Sequence, residues 1–307
     1  MVKKFSAPEK WDAYASSVID KSRLLISLGI WSDIDELQLN RWLLNFKTPE
    51  AQYLSVCLLD AFTFRSKKMC HSMLRSILMD IVPNYCREIN IENFDSIDEW
   101  SQKLNAEDQL VRFVPVNISD GNVKSSAVVA REFIEANNTS LRFVQHPEHM
   151  QRAIDSGTKL IVFLDDFAGS GFQFIKFLQQ QSIEQYNGKV SFLYAPMASH
   201  KDAINRIEAA YPDIKVRPVD LLTTEHSFFF QCEDGYFRGD KTNTVDAAKE
   251  FYANLFAASK KAKKYLFGMS NQCLTYSFFF STPNNNLKAL YHDEDNVWQR
   301  LVFRGRT

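Results

Sequence analysis

Two adjacent carboxylates followed by a Gly-Ser-Gly turn are the residues of this chain whose types and spacing point most directly to chemistry. They lie in Leu160–Gln173, LIVFLDDFAGSGFQ. An apolar run, Lys159–Leu164, has the length of a buried strand and ends at Asp165 and Asp166. The short stretch Phe167-Ala168-Gly169-Ser170-Gly171 then leads into a helix that carries Phe174, Ile175, Phe177 and Leu178. Ligands of open parallel sheets bind beyond the carboxyl ends of the strands. A helix start offers unpaired N–H groups and the positive end of the helix dipole, so a phosphate here would meet the amides of Gly169, Ser170, Gly171, Phe172 and Gln173. Gly169 and Gly171 let the backbone come close, and Ser170 adds a hydroxyl donor. Asp165 and Asp166 cannot hold a phosphate. They suit ribose hydroxyls, or a magnesium ion bound through water. A phosphorylated ribose or a nucleotide satisfies both halves of such a site.

The elements that must position this loop are legible on either side of it. Residues 108–225 alternate strand and helix patterns: Val111–Asn117, a polar loop Ile118–Asn122, a helix over Ser125–Ala136, the strand before Asp165, a strand Lys189–Ala195, a helix His200–Tyr211 capped by Ser199, and a strand Ile214–Leu221. Such alternation implies βαβ units, and strands without polar alternation imply burial on both faces. Residues 6–104 read instead as helices. Ser6-Ala7-Pro8-Glu9 has the form of a capping box, Asp33 with Glu36 starts a second helix, and Thr48-Pro49-Glu50 starts a third. A fourth carries Met73, Leu74, Ile77, Leu78 and Ile81 before Pro83, and a shorter one lies around Ser96–Leu104. The reading is an α/β protein with a helical N-terminal domain over 1–105 and a parallel-sheet domain with a C-terminal extension over 106–307.

Composition agrees. Only 10 of 307 residues are glycine, and residues 1–120 hold one, Gly29, which excludes Gly-rich linkers and tight-hairpin architectures. Hydrophobic residues make up 45% and charged residues 24%, as in a folded domain. A net charge of −1 argues against coating nucleic acid by charge; contact would go through a partner or a local basic patch, the best being Lys260, Lys261, Lys263 and Lys264, read as a helix face. Five cysteines without a CxxC pair argue against zinc ribbons and disulfide scaffolds and fit a reducing cytoplasm. The start MVKKFSAPEKWDAY has no apolar leader core, and Tyr265–Leu287 is too polar to span a bilayer, so no membrane partner is expected.

The loop resembles the phosphoribosyl pyrophosphate loop of type I phosphoribosyltransferases: an apolar strand, two acidic residues, two or three small or apolar residues, then Thr-Gly-Gly-Thr. Asp165 and Asp166 match the acidic pair, and Ser170 and Gly171 the first Thr-Gly. Phe172 replaces the second glycine, and Gln173 the last threonine. The resemblance implies a type I phosphoribosyltransferase-like fold and displacement at ribose C1 with Mg-pyrophosphate as leaving group, hence Mg²⁺ as cofactor. It also implies a second loop touching pyrophosphate, at the place of Ile118–Asn122 with Asp120 and Gly121 at its tip. The chain as a whole is similar to diverged phosphoribosyltransferase-like proteins of bacterial conflict systems, some linked to retrons. That likeness rests on WLLNF (Trp42–Phe46), LLDAFTF (Leu58–Phe64), DDFAGSG, TPNNNL (Thr282–Leu287), Trp298 and Arg304. It implies an antiviral defence effector in the cytoplasm with a defence-system protein or ribonucleoprotein as partner. A nucleotide sensor without turnover, or an interaction module, fits the same residues.

Other residues are more economically read as structure. His146 and His149 stand i, i+3, and beside Pro147 they read as a surface loop rather than a metal pair. His226 reads as a loop residue, Phe228–Phe230 and Phe278–Phe280 as core, and Asn284–Asn286 as turn formers.

Overall fold

The computed structural model describes residues 4–91, 96–105, 110–116, 125–139, 143–231, 235–259 and 261–305. In chain order the elements are α1 (Trp11–Ser27), α2 (Glu36–Leu43), α3 (Pro49–Ala61), β1 (Thr63–Arg65), α4 (Lys67–Ser76), a π-helical turn (Ile77–Ile81), α5 (Val82–Glu88), α6 (Ile97–Asn105), β2 (Val111–Pro115), α7 (Ser125–Asn137), α8 (Met150–Asp155), β3 (Leu160–Ala168), α9 (Phe172–Gln180), β4 (Ser191–His200), α10 (Lys201–Ala210), β5 (Ile214–Val216), β6 (Asp220–Leu222), α11 (Val245–Leu255), β7 (Tyr276–Phe278) and α12 (Lys288–Tyr291). The mixed α/β class with parallel strands and a helical N-terminal region is the one expected. Among the described residues no helix is long and apolar enough to cross a membrane.

The chain divides into two compact units, Met1–Lys67 with Thr223–Gly305, and Lys68–Leu222. This grouping reflects packing rather than sequence order. The first helices share a core with the C-terminal segment, whereas α4, α5 and α6 group with the sheet, so the boundary drawn at residue 105 does not coincide with it. In the first unit Trp42 Nε1 donates to the Ala289 carbonyl at 2.7 Å, and Trp298 Nε1 donates to the same oxygen at 3.1 Å. β1 pairs in parallel with β7, Thr63 opposite Tyr276. Thr48 caps α3 as its sequence predicts, its Oγ1 accepting from Ala51 N at 3.3 Å with Pro49 in the first turn. Thr48→Ala is therefore expected to destabilise the chain by about 1 kcal/mol, read as a lower urea midpoint with unchanged slope. The Ser6 box does not form: α1 starts at Trp11, and Ser6 instead exchanges two 2.8 Å backbone bonds with the Asn243 side chain. The second helix is capped by Asp35 rather than Asp33.

In the second unit the sheet runs β2-β3-β4-β5, with β6 extending the β5 edge against β4, and every pairing is parallel. The expected strand Ile214–Leu221 is split at Pro218, which has no N–H for the ladder, yet the register with β4 is the same on both sides. One sheet face, carrying Ile161, Phe163, Phe192, Tyr194, Ile214 and Val216, is covered by Phe174, Phe177 and Leu178 of α9 and by Ala203 and Ile207 of α10. The opposite face receives α7, with Phe133 against Phe113 at 4.6 Å, and the π turn, which packs on β4. The helix expected to stop before Pro83 continues through it. The wider π turn directly upstream leaves room for a ring that would clash with an α-helical carbonyl.

Candidate functional site

β3 does not end at Leu164. It continues to Ala168, with Asp165 opposite Pro196, Phe167 opposite Ala198 and Ala168 opposite Ser199. Successive strand residues point to opposite faces, so the two carboxylates diverge. Asp165 shares a face with Phe163 and lies beneath α9. It is 4% exposed, accepts from Tyr194 Oη at 2.8 Å and from Asp166 N at 3.0 Å, and the Phe174 ring stacks on Tyr194 at 3.7 Å. Burial first, and the neighbouring Asp166 second, push the Asp165 carboxyl well above the usual carboxylate range; burial likewise raises Tyr194. Asp166 has the parity of Val162 and Leu164, away from α9, and its Oδ1 accepts from Phe167 N at 2.9 Å.

The raised Asp165 gives a signed expectation. Where an unfolded carboxyl has lost its proton and the folded one keeps it, stability falls as pH rises. The window opens near the unfolded value of about 4. Asp165→Asn, which carries no charge, removes this term. Its stability relative to the wild type, measured by urea unfolding, should climb between pH 5 and 8, by up to roughly 1.4 kcal/mol per pH unit. A gap that stays constant across that range would mean that Asp165 ionises normally in the fold.

Beyond β3 the chain turns through Gly169, Ser170 and Gly171, all buried, into α9, while Phe172 and Gln173 are exposed and Phe167 is half-buried. Gly171 sits at φ +80°, and a Cβ there would lie 3.1 Å from the Ala203 carbonyl and 3.2 Å from Ile207 Cγ1. The glycine is thus needed for both its backbone angle and its approach to α10. Ser199 Oγ donates to the Ala168 carbonyl at 3.2 Å, tying the carboxyl ends of β3 and β4 together. His200, rather than Ser199, caps α10, its Nδ1 accepting from Asp202 N at 3.2 Å. Arg206 of α10 donates to the Ser170 carbonyl and lies 4.2 Å over the Phe172 ring. The structure therefore gathers Asp166, Ala168–Gln173, Ser199, His200 and Arg206 at the carboxyl end of one parallel sheet. The second expected loop, Ile118–Asn122 with Asp120 and Gly121, lies outside the described residues.

A family model described as PRTase-CE matches residues 39–304. The chain belongs to the PRTase-CE family. That membership supports a phosphoribosyltransferase-like domain and agrees with the parallel sheet and its strand-loop-helix turn. No curated protein matches the chain.

The outer motifs of this PRTase-CE chain turn out to be architecture. Trp42 and Phe46 pack with Trp298, and Asn45 exchanges bonds of 2.8 and 2.9 Å with the Gln299 backbone. Asn286 is fully buried; its Oδ1 accepts from Tyr276 N and its Nδ2 donates to the Pro283 carbonyl at 2.8 Å. Asn285 binds Gln272 Oε1 at 2.8 Å. His226 takes the Thr223 amide at 3.0 Å and so closes its own turn. His146 precedes and His149 ends a short 3₁₀ turn that runs directly into α8, with the His146 side chain 3.8 Å from Glu148. Lys261, Lys263 and Lys264 come after α11 in turns rather than on a helix face, and Lys260 lies outside the described residues.

Two constellations escape sequence reasoning because their members are far apart in the chain. Ser259, His292 and Glu294 meet within 3.2 Å, but serine and carboxylate both bind His292 Nε2, and the serine is fully buried. A nucleophile–base–orienter relay needs the carboxylate on the other ring nitrogen. The hydroxyl instead accepts from Ala262 N at 2.9 Å and closes a turn. His71, Glu132 and Glu135 bring a nitrogen and two carboxylate oxygens within 4.8 Å of one another, a donor set suited to a divalent ion. Glu132 is already engaged by His71 at 2.8 Å and Arg131 at 3.2 Å, and the trio ties α4 to α7.

Proposed function

We propose that this chain binds a phosphorylated ribose, phosphoribosyl pyrophosphate or a nucleotide, at the turn from β3 into α9 and acts at ribose C1. The observation that carries the reading is the turn itself. In a chain of the PRTase-CE family, an acidic pair and Gly-Ser-Gly stand at the carboxyl end of a buried parallel strand, where a nine-residue helix begins. The amides of Gly169–Gln173 take the 5′-phosphate and Asp166 takes the ribose hydroxyls. Asp165 serves from beneath, holding the strand end through Tyr194. In the reaction the bond from C1 to the pyrophosphate oxygen breaks and a bond from C1 to a base nitrogen forms, through a cationic ribose. In this reading Asp166, the carboxylate assigned to the ribose, stabilises that charge.

The carboxylates on opposite faces of β3 do not chelate one ion together. Magnesium fits only as an ion carried by the substrate's pyrophosphate and touched by Asp166 through water, where it would neutralise the leaving group. The conflict-system role implied by the sequence resemblance, with a defence protein or ribonucleoprotein partner, is proposed with it.

The test is titration of the full chain with phosphoribosyl pyrophosphate and Mg²⁺, then assay of pyrophosphate release in the presence of free bases. Saturable binding with release supports the transferase reading. Binding without release supports a sensor, a reading favoured by the burial of Asp165 away from the turn. Absence of binding overturns both.

A further inference from the structure

We propose that Arg206 supplies the positive charge that recognises the phosphate at the β3–α9 turn, and that Phe172 is the surface that holds its guanidinium there. The inference rests on reading that turn as a phosphoribose site. Relative to the Thr-Gly-Gly-Thr pattern, this chain has lost a glycine at Phe172 and a hydroxyl at Gln173. Phe172 is 57% exposed at the first position of α9, and Arg206 covers its ring at 4.2 Å. The same guanidinium donates through Nη1 to the carbonyl of Ser170, the central residue of the turn. Arg206 stands one helical turn along α10 from Ala203, against which Gly171 packs, so the approach that requires glycine also brings the arginine to the turn.

Among the described residues no carboxylate lies within 4.0 Å of the Arg206 guanidinium, in contrast to five other arginines. Arg23, Arg131, Arg217, Arg238 and Arg300 each have a carboxylate within 4.0 Å. Among the described residues Arg206 has a carbonyl and an aromatic face instead. Neither cancels its charge, and the carbonyl uses one of five N–H donors. An arginine that is half-buried, fixed in place and left with a free fork of donors is suited to bidentate binding of a phosphate. Because the side chain is already held, little freedom is lost when the anion arrives.

The experiment titrates the full chain with ribose 5-phosphate and, as a control, ribose, by calorimetry at two salt concentrations. The wild type is expected to prefer the phosphorylated sugar, more so at low salt. Arg206→Ala should weaken ribose 5-phosphate binding tenfold or more and flatten its salt dependence. Arg206→Lys should recover part of the loss, as a point charge without the fork. Phe172→Leu should weaken binding a few-fold by releasing the guanidinium. Should the alanine variant fail to fold, Arg206→Gln, which retains a donor for Ser170, takes its place with the same expected loss. Wild-type affinity and salt dependence in the Arg206 variants overturn the proposal while leaving the phosphoribose reading intact. Failure of the wild type itself to bind ribose 5-phosphate, or to distinguish it from ribose, overturns that reading and this one with it.

Discussion

Asp166→Asn is expected to weaken phosphoribose binding by roughly 10- to 100-fold while leaving the fold standing. A hydrogen bond to a charged acceptor contributes about 1.5–3 kcal/mol, which converts to that range of affinity. The asparagine oxygen can still accept from Phe167 N, the bond that Asp166 Oδ1 makes at 2.9 Å, so the backbone at the end of β3 keeps its partner. Calorimetric titration of both proteins, with thermal melts alongside, separates loss of ligand from loss of fold. Equal affinities would remove Asp166 from the ligand site. The contrast with Asp165→Asn is informative. The two carboxylates are neighbours in sequence, yet one substitution should act on binding and the other on the pH dependence of stability, because β3 sends them to opposite faces.

Gly171→Ala should be damaging on two counts. At φ +80° a side chain costs about 1–2 kcal/mol, and the new Cβ would press on the Ala203 carbonyl at 3.1 Å. The combined loss is expected to be roughly 2–3 kcal/mol, with ligand binding falling as the turn lifts from α10. Gly188→Ala is the matched control: its φ is +75° and nothing lies within 4 Å of a Cβ there. The difference between the two urea midpoints isolates the packing term. If both variants lose the same stability, the approach of the turn to α10 contributes nothing.

The sheet and its turn were legible because their signals are local. Leu160–Leu164 has no polar residue to place on a wet face, and Thr48-Pro49-Glu50 contains its whole cap within four positions. The parts that escaped depend on distant partners. The partner that Asp165 meets on its face of β3 is Tyr194, 29 residues away, reached only once β3 and β4 are in register. Arg206 reaches Ser170 across 36 residues. Ser6 met Asn243 instead of capping its own helix, a choice made over 237 residues. Helix propensity at Ser6-Ala7-Pro8-Glu9 carries no information about that competitor. The asparagines of TPNNNL announced a turn, but the burial of Asn285 and Asn286 and their bonds to Gln272 and the Tyr276 amide were not encoded in their spacing.

The pairing of β1 with β7, and of Trp42 with the Ala289 carbonyl, has a consequence for the order in which the protein is made. While the chain leaves the ribosome, every strand of the larger sheet is available once Leu222 has emerged. The tryptophan and the first short strand must wait for residues synthesised more than two hundred positions later. A nascent chain at that stage would expose the apolar faces of its first three helices, and a premature stop near residue 275 would leave β1 without its partner strand and Trp42 without the Ala289 carbonyl. Pulse-labelled truncations should accordingly show protease resistance in residues 110–222 before it appears in residues 11–61.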